Sequence, residues 1–141
     1  KNYQEMNLQL IGFDPAENMA EFSKKTGAEI IIDYFNENSF KKRFGSKKAK
    51  IITSIAMFYD LDDPNIFVKD ISKILDNEGV WIIELSYLPL MMKQNAFDTI
   101  VHEHLEYYHL KVLEQLFFKH GLKFFFEKIN YVFNNKKLLL F

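Results

Sequence analysis

The chain has 141 residues, of which 48% are hydrophobic and 16% aromatic, so the composition excludes a disordered tail and predicts one folded domain over residues 1–141. Eighteen basic and nineteen acidic residues nearly cancel, and the one basic run, 41–50, has no aromatic ladder; we interpret it as a solvated loop and do not expect nucleic-acid binding. The chain has no cysteine and no apolar run of membrane length, which excludes disulfides and favours a cytoplasmic protein without membrane partners.

Short apolar runs predict the strands. The runs 8–13, 30–35, 51–55 and 80–85 are β-branched or aromatic and nearly continuous, which is typical of strands covered on both faces in a parallel sheet. Two further strands are predicted at 122–126 and 137–141, and the turn at Asn134 and Asn135 between them suits an antiparallel hairpin.

Capping signals predict three helices between these strands. Asp14 and Pro15 open the first and Gly27 closes it, whereas Asp63 and Pro64 open the second, with Gly79 shortly past its end. The third covers about 111–120. The inward positions of the last two helices are expected to be Phe67, Ile71, Ile74, Leu75, Val112, Leu113, Leu116 and Phe117. Alternating strands and helices that end in an antiparallel pair predict an open α/β sheet with helices on its faces.

Residues 97–109 are the densest group of titratable side chains, with three of the four histidines, three acids and two tyrosines. A histidine beside a carboxylate can act as a general base. If the segment is extended, His102 and His104 point to one side and Glu103 to the other, whereas on a helix the three diverge. The pair lacks a regularly spaced third ligand, so we expect no metal. We therefore expect a catalytic or binding site, not a structural patch.

The chemistry-bearing segments resemble a known family. Gly12-Phe13-Asp14-Pro15, then Asp33-Tyr34-Phe35, then Ser54-Ile55-Ala56-Met57-Phe58-Tyr59-Asp60-Leu61-Asp62-Asp63-Pro64 look like three successive strand ends of a class I S-adenosylmethionine-dependent methyltransferase. The run His102-Glu103-His104-Leu105-Glu106-Tyr107-Tyr108 is similar to one branch, the C-methyltransferases of nucleotide-linked keto-deoxysugars. The resemblance covers about residues 8–126 and implies a Rossmann-like, mostly parallel sheet with a C-terminal antiparallel hairpin.

The resemblance implies S-adenosylmethionine as the cofactor. Asp14, followed by Pro15, would accept hydrogen bonds from the ribose hydroxyls, and Phe35 would flank the adenine. The methionine side of the pocket would be lined by Ser54, Ile55 and Met57. Asp14 is equally explained as a helix N-cap that binds no ligand.

For the chemistry, the resemblance implies that His104 removes the proton beside the sugar ketone. Glu103 would orient the substrate, and His102 and Tyr107 would shape or polarise the pocket. Two alternatives stay open: a non-catalytic module with a methyltransferase-like fold, and a methyltransferase whose acceptor is oxygen or nitrogen. The expected partner is a small molecule, a nucleotide sugar under the main hypothesis, and the sequence does not indicate an oligomeric state.

The sequence departs from the family at its start. The first strand with its glycine-rich loop, and the cysteine-rich zinc module common in the family, do not occur among these residues. We expect the strand and loop to lie upstream of Lys1, which makes the chain an N-terminally truncated, partial methyltransferase domain.

Overall fold

The computed structural model describes residues 8–19, 21, 25, 27–124, 127–132 and 135–140, and the chain divides into two compact units, Lys1–Ser46 and Lys47–Phe141. In the first unit, strands β1 (Ile11–Phe13) and β2 (Glu29–Ile31) pair in parallel, and helix α1 covers Glu37–Phe44. A short 3-10 turn, Glu17–Met19, follows β1. Helix α1 begins where the Asn36 side chain accepts from the N–H of Ser39 at 2.9 Å, and it ends at Gly45, whose φ is +63°.

The second unit contains a four-stranded sheet in the order β3-β4-β6-β5. Its strands are β3 (Ala49–Ile55), β4 (Leu75–Ser86), β5 (Glu127–Val132) and β6 (Asn135–Leu140). Strands β3 and β4 are parallel, whereas β6 is antiparallel to both β4 and β5. The predicted α/β class with a C-terminal antiparallel pair is therefore confirmed.

The described part of this unit contains three α-helices: α2 (Pro64–Ile74), α3 (Leu88–Lys93) and α4 (Leu110–Lys119). The Asp63 carboxylate caps α2 by accepting from the N–H groups of Asn65 and Ile66 at 2.9 and 3.1 Å. No helix in the described ranges is long and apolar enough to cross a bilayer.

An aromatic cluster around Phe58 forms the centre of the core of the second unit. Phe58 is fully buried, and its ring centroid lies 5.3 to 6.1 Å from those of Phe67, Trp81, Tyr108 and Phe117. These rings come from α2, β4, the segment before α4 and α4 itself. One side chain thus joins four parts of the fold.

Several sequence predictions need correction. The run predicted as a solvated loop begins inside α1, where Lys41, Lys42 and Arg43 occupy the last turn and oppose the partial negative charge of the helix end. Residues 32–35, predicted as part of a strand, lie beyond β2. Val112, predicted to face inward, is 43% exposed, because α4 turns Leu113 and Phe117 to the core instead.

Gly79 does not end a helix but lies inside β4, because α2 continues directly into that strand. A Cβ at this position would lie 2.9 Å from both the Ala49 carbonyl oxygen and the Leu75 side chain. Glycine is therefore required by the close approach of β3 and β4 where their register shifts.

Other differences concern the element bounds. Residues 122–124 have no regular structure, residues 125–126 lie outside the described residues, and the strand predicted there begins at Glu127. Helix α3 was not predicted. Parts of the first predicted helix, and Asn134 of the predicted hairpin turn, also fall outside the described ranges.

We expect Phe58→Ala to lower the free energy of unfolding by about 3–5 kcal/mol, because it removes a fully buried ring from a cluster of four others. Urea denaturation followed by circular dichroism measures this change. The matched control is Phe118→Ala, whose side chain is 70% exposed and whose removal should cost less than about 0.5 kcal/mol. Equal losses in the two variants would contradict this description of the core.

Candidate active site

The histidine segment, residues 97–109, begins with a short 3-10 helix at Phe97–Thr99 and forms a turn at His102 and Glu103, without a β-strand or an α-helix. The N–H of His104 donates to the Val101 carbonyl oxygen at 3.2 Å, which makes His102 and Glu103 the tip of the turn. Their side chains are 91% and 64% exposed, and His102 Nε2 lies 3.1 Å from Glu103 Oε1. The turn thus separates the exposed pair at its tip from His104.

His104 is half-buried and packs against two tyrosines. Its ring centroid lies 4.2 Å from that of Tyr59 and 6.3 Å from that of Tyr107. Such packing restricts the orientation of the imidazole, as a base acting on one particular proton requires. Of the four predicted catalytic residues, the structure therefore brings His104 and Tyr107 together around Tyr59.

Backbone hydrogen bonds hold this segment at the ends of two strands. The carbonyl oxygen of Tyr59, just after β3, accepts from the N–H groups of Leu105 and Glu106 at 2.9 and 3.1 Å. At the end of β4, Tyr87 forms a bridge with Tyr108, and the N–H of Leu88 donates to the Tyr108 carbonyl oxygen at 2.9 Å. The carboxyl ends of strands are where open α/β sheets bind their ligands.

The predicted cofactor residues of the second unit lie at the carboxyl end of β3 and just beyond it. Ser54 is buried, and its Oγ accepts from Trp81 Nε1 at 3.1 Å, whereas Ile55 is 50% exposed and Met57 is half-buried. Between them Ala56 has a φ of +53°, an uncommon conformation for a residue with a Cβ. Backbone strain of this kind clusters at functional sites.

The other predicted cofactor residues belong to the first unit. Asp14 follows β1, its N–H donates to the Ile31 carbonyl oxygen at 3.1 Å, and its Oδ1 accepts from the N–H of Ala16 at 2.9 Å. The intervening Pro15 is exposed. Phe35, after β2, has its ring edge-on to that of Phe13 at 5.2 Å between centroids. The bond to Ala16 is of the kind that an N-capping aspartate makes two residues ahead in the chain.

Two titratable groups, Asp60 beside the histidine segment and Tyr108 within it, were not predicted as site residues. Partial burial raises the pKa of Asp60, and the charge of Glu103 adds to this, while that of His104 opposes it. Burial raises the pKa of Tyr108 to about 12, with a smaller contribution from Glu106. The sequence offered only a weak signal for Asp60, an acid five residues past Ile55, where β3 ends.

Comparisons with known proteins bear on the class of this fold. Residues 1–125 match a family model described as a methyltransferase domain. The chain belongs to the methyltransferase domain family. This membership bears out the expected S-adenosylmethionine-dependent methyltransferase class, and S-adenosylmethionine is the cofactor expected for that class.

Individual methyltransferases support the assignment. The chain is 31% identical over 124 residues to the C-methyltransferase NovU of Streptomyces niveus, a match that covers 86% of this chain and 29% of NovU. The chain thus spans about three tenths of that relative. A S-adenosylmethionine-dependent methyltransferase from Clostridium acetobutylicum has a TM-score of 0.70 at 11% identity, covering 99% of this chain and 76% of that one. A methyltransferase in complex with the Haloferax volcanii methyltransferase activator has a TM-score of 0.69 at 13% identity, covering 94% and 70%. The two structures support the Rossmann-like methyltransferase fold.

We expect the stability of the fold to fall as pH rises from 10 to 12 because of Tyr108. The unfolded tyrosine loses its proton near its ordinary pKa of 10, whereas the folded one keeps it up to about 12, so the unfolded state gains stability across this interval. The loss amounts to about 2–3 kcal/mol. Urea denaturation at pH 9 to 12 measures it.

The variant Tyr108→Phe should lose this contribution. It should also be more stable at neutral pH by about 1 kcal/mol, because the buried hydroxyl has no partner among the described residues. Tyr34→Phe, at a position 73% exposed, is the control and should keep the alkaline loss. An unchanged pH profile in Tyr108→Phe would contradict the assignment.

Proposed function

We propose that this domain is part of a C-methyltransferase that acts on a nucleotide-linked keto-deoxysugar, with His104 as the general base. The observation that carries the proposal is the half-buried imidazole that packs against Tyr59 and Tyr107 at the end of β3. The 31% identity with a C-methyltransferase supports the choice of carbon as the acceptor. The sugar substrate follows from the resemblance of the His102–Tyr108 run alone.

The base has to remove a proton from the carbon beside a ketone. Abstraction moves that proton to a ring nitrogen of His104 and leaves an enolate, whose oxygen needs a hydrogen-bond donor. Tyr107 is the nearest hydroxyl-bearing candidate on the same segment, with its ring 6.3 Å from that of His104. His102 and Glu103, exposed at the tip of the turn, are suited to contact a substrate that approaches from solvent.

The residues present are suited to parts of the cofactor. Bound S-adenosylmethionine would supply the methyl group that the enolate carbon attacks. The Asp14 carboxylate is oriented by its bond to Ala16 and is of the chemical type that binds ribose hydroxyls. Phe35 offers an aromatic surface for adenine, and Ile55 and Met57 offer apolar surface for the methionine chain. The hydroxyl of Ser54 already accepts a hydrogen bond from Trp81, so we propose that Ser54 shapes the pocket beside Ile55 and Met57.

We expect His104→Gln, in the full-length protein, to lower methyl transfer by at least about 100-fold, because a general base typically contributes 10²–10⁴-fold. Binding of S-adenosylmethionine, measured by calorimetry, should stay within a few fold. Two assays use a nucleotide-linked keto-deoxysugar: NMR detection of a carbon-bound methyl in the product, and exchange of the proton beside the ketone with deuterated water.

The control for this variant is His109→Gln, which changes a histidine of the same segment that lies before α4. It should keep both transfer and exchange. Activity of His104→Gln above about a tenth of the parent would reject His104 as the base. A methyl found on oxygen or nitrogen would instead favour the alternative acceptors.

A further inference from the structure

We propose that a cavity beside the first half of β4 binds a small aromatic molecule with a hydroxyl group, and that His120 is the hydrogen-bond partner of that group. The cavity has a volume of about 540 Å³ and is lined by the end of α2, by residues of β4 between 75 and 83, and by residues between 117 and 124. Sites for small molecules typically have about 300–1,000 Å³. The lining residues lie outside the histidine segment, so the proposal does not rest on the proposed function.

Three aromatic rings form one wall of the cavity. The ring centroid of Phe117 lies 4.9 Å from that of Trp81 and 5.5 Å from that of Phe124. The Nε1–H of Trp81 already donates to Ser54, so the indole offers the cavity apolar surface. Aromatic rings attract one another beyond the area that they bury. An aromatic ligand therefore gains more from this wall than an aliphatic ligand of the same size.

The polar side chains around the cavity differ in what they can still bind. Ser72 Oγ donates to the Lys69 carbonyl oxygen at 2.8 Å, and Asp76 Oδ1 pairs with Lys50 Nζ at 2.7 Å. His120 follows the last residue of α4, and its Nε2 is buried without a hydrogen-bond partner among the described residues. A buried polar atom without a partner costs free energy, which a bound group of complementary chemistry would recover.

A single imidazole nitrogen selects a neutral hydroxyl. A hydroxyl both donates and accepts, so it can bond Nε2 of His120 in either tautomer of the neutral ring. A buried carboxylate or ammonium would need more than one partner to offset the loss of its hydration. The lining residues Asn77 and Lys123 are exposed and mark where the cavity opens to solvent. A phenol, with its ring on the aromatic wall and its hydroxyl on His120, fits this arrangement.

The first test measures the affinities of p-cresol and toluene by NMR titration of the full-length parent, His120→Phe and His109→Phe. His109 lies at the opposite end of α4, outside the cavity, and is the matched control. We expect the parent to bind p-cresol with a Kd of about 1 mM or lower, and toluene no more tightly. In His120→Phe the ratio of the two affinities should shift toward toluene by at least about 10-fold, because the bound hydroxyl loses its partner. His109→Phe should keep the parental ratio.

The second test locates the bound molecule. In protein with nitrogen-15-labelled histidine, the imidazole signal of His120 is the one that His120→Phe removes. Addition of p-cresol should shift this signal in the parent and leave the signal of His109 in place. Toluene, which cannot hydrogen-bond, should shift the Nε2 resonance of His120 less than p-cresol does.

The His120→Phe variant should fold, since it replaces a buried ring that has an unpartnered atom with an apolar ring. Urea denaturation checks this. If the variant does not fold, the two titrations of the parent decide, with the His120 signal identified by sequential assignment.

Three outcomes would overturn the proposal: no binding of p-cresol up to about 10 mM, binding that leaves the His120 signal in place, or a parent that prefers toluene. None of these measurements involves methyl transfer. The presence or absence of that activity therefore tests the proposed function alone.

Discussion

The buried ring of Phe58 is the contact on which the rest of the second unit depends. It packs against rings from α2, β4, α4 and the segment before α4, and none of its surface is exposed. Close packing of this kind leaves little freedom for the neighbouring backbone. Tyr59, which follows Phe58 and is itself buried, is therefore held in a fixed position, where its ring contacts His104 of the histidine segment.

Short-range contacts with this rigid core hold the candidate site in place. The Tyr59 carbonyl oxygen fixes the backbone of the segment, its ring fixes the imidazole, and the bridge between Tyr87 and Tyr108 fixes the far end. For the proposed base His104, attachment at two strand ends leaves little reorganisation when the ring takes a proton, which is the arrangement that catalysis by orientation requires. The left-handed conformation of Ala56 adds local backbone strain two residues before the 3-10 turn Phe58–Asp60.

Much of the fold could be predicted from local signals in the sequence. The cap at Asp63 and the patterns of apolar residues were sufficient to predict helices α2 and α4, because both helices bury one face against the sheet. Helix α1 was missed because Phe40 is its one buried residue, so its pattern resembles that of a charged loop. Gly79 was misassigned because a glycine after a helix normally ends that helix. Here glycine is required instead by the close approach of the Ala49 carbonyl oxygen.

The candidate site, like the fold, could be predicted only in part from local signals. The histidine segment was evident from its composition, but neither its turn nor its contact with Tyr59 could be derived from spacing. Whether His102 and His104 share a side depends on the hydrogen bond between His104 and Val101, and the neighbour of His104 is set by a contact between distant parts of the chain. Tertiary contacts of this kind leave no periodic signal in the sequence.

The bond between Trp81 and Ser54 has an optical consequence. Trp81 is the chain's one tryptophan, it is 8% exposed, and its Nε1–H donates to a residue of the β3 end. The indole is therefore a single natural fluorophore whose emission depends on its shielding from water and on that hydrogen bond. Loosening of β3 from β4, or of α4 from the sheet, alters the spectrum without any attached dye. The fold carries its own spectroscopic reporter one strand away from the turn that holds His104.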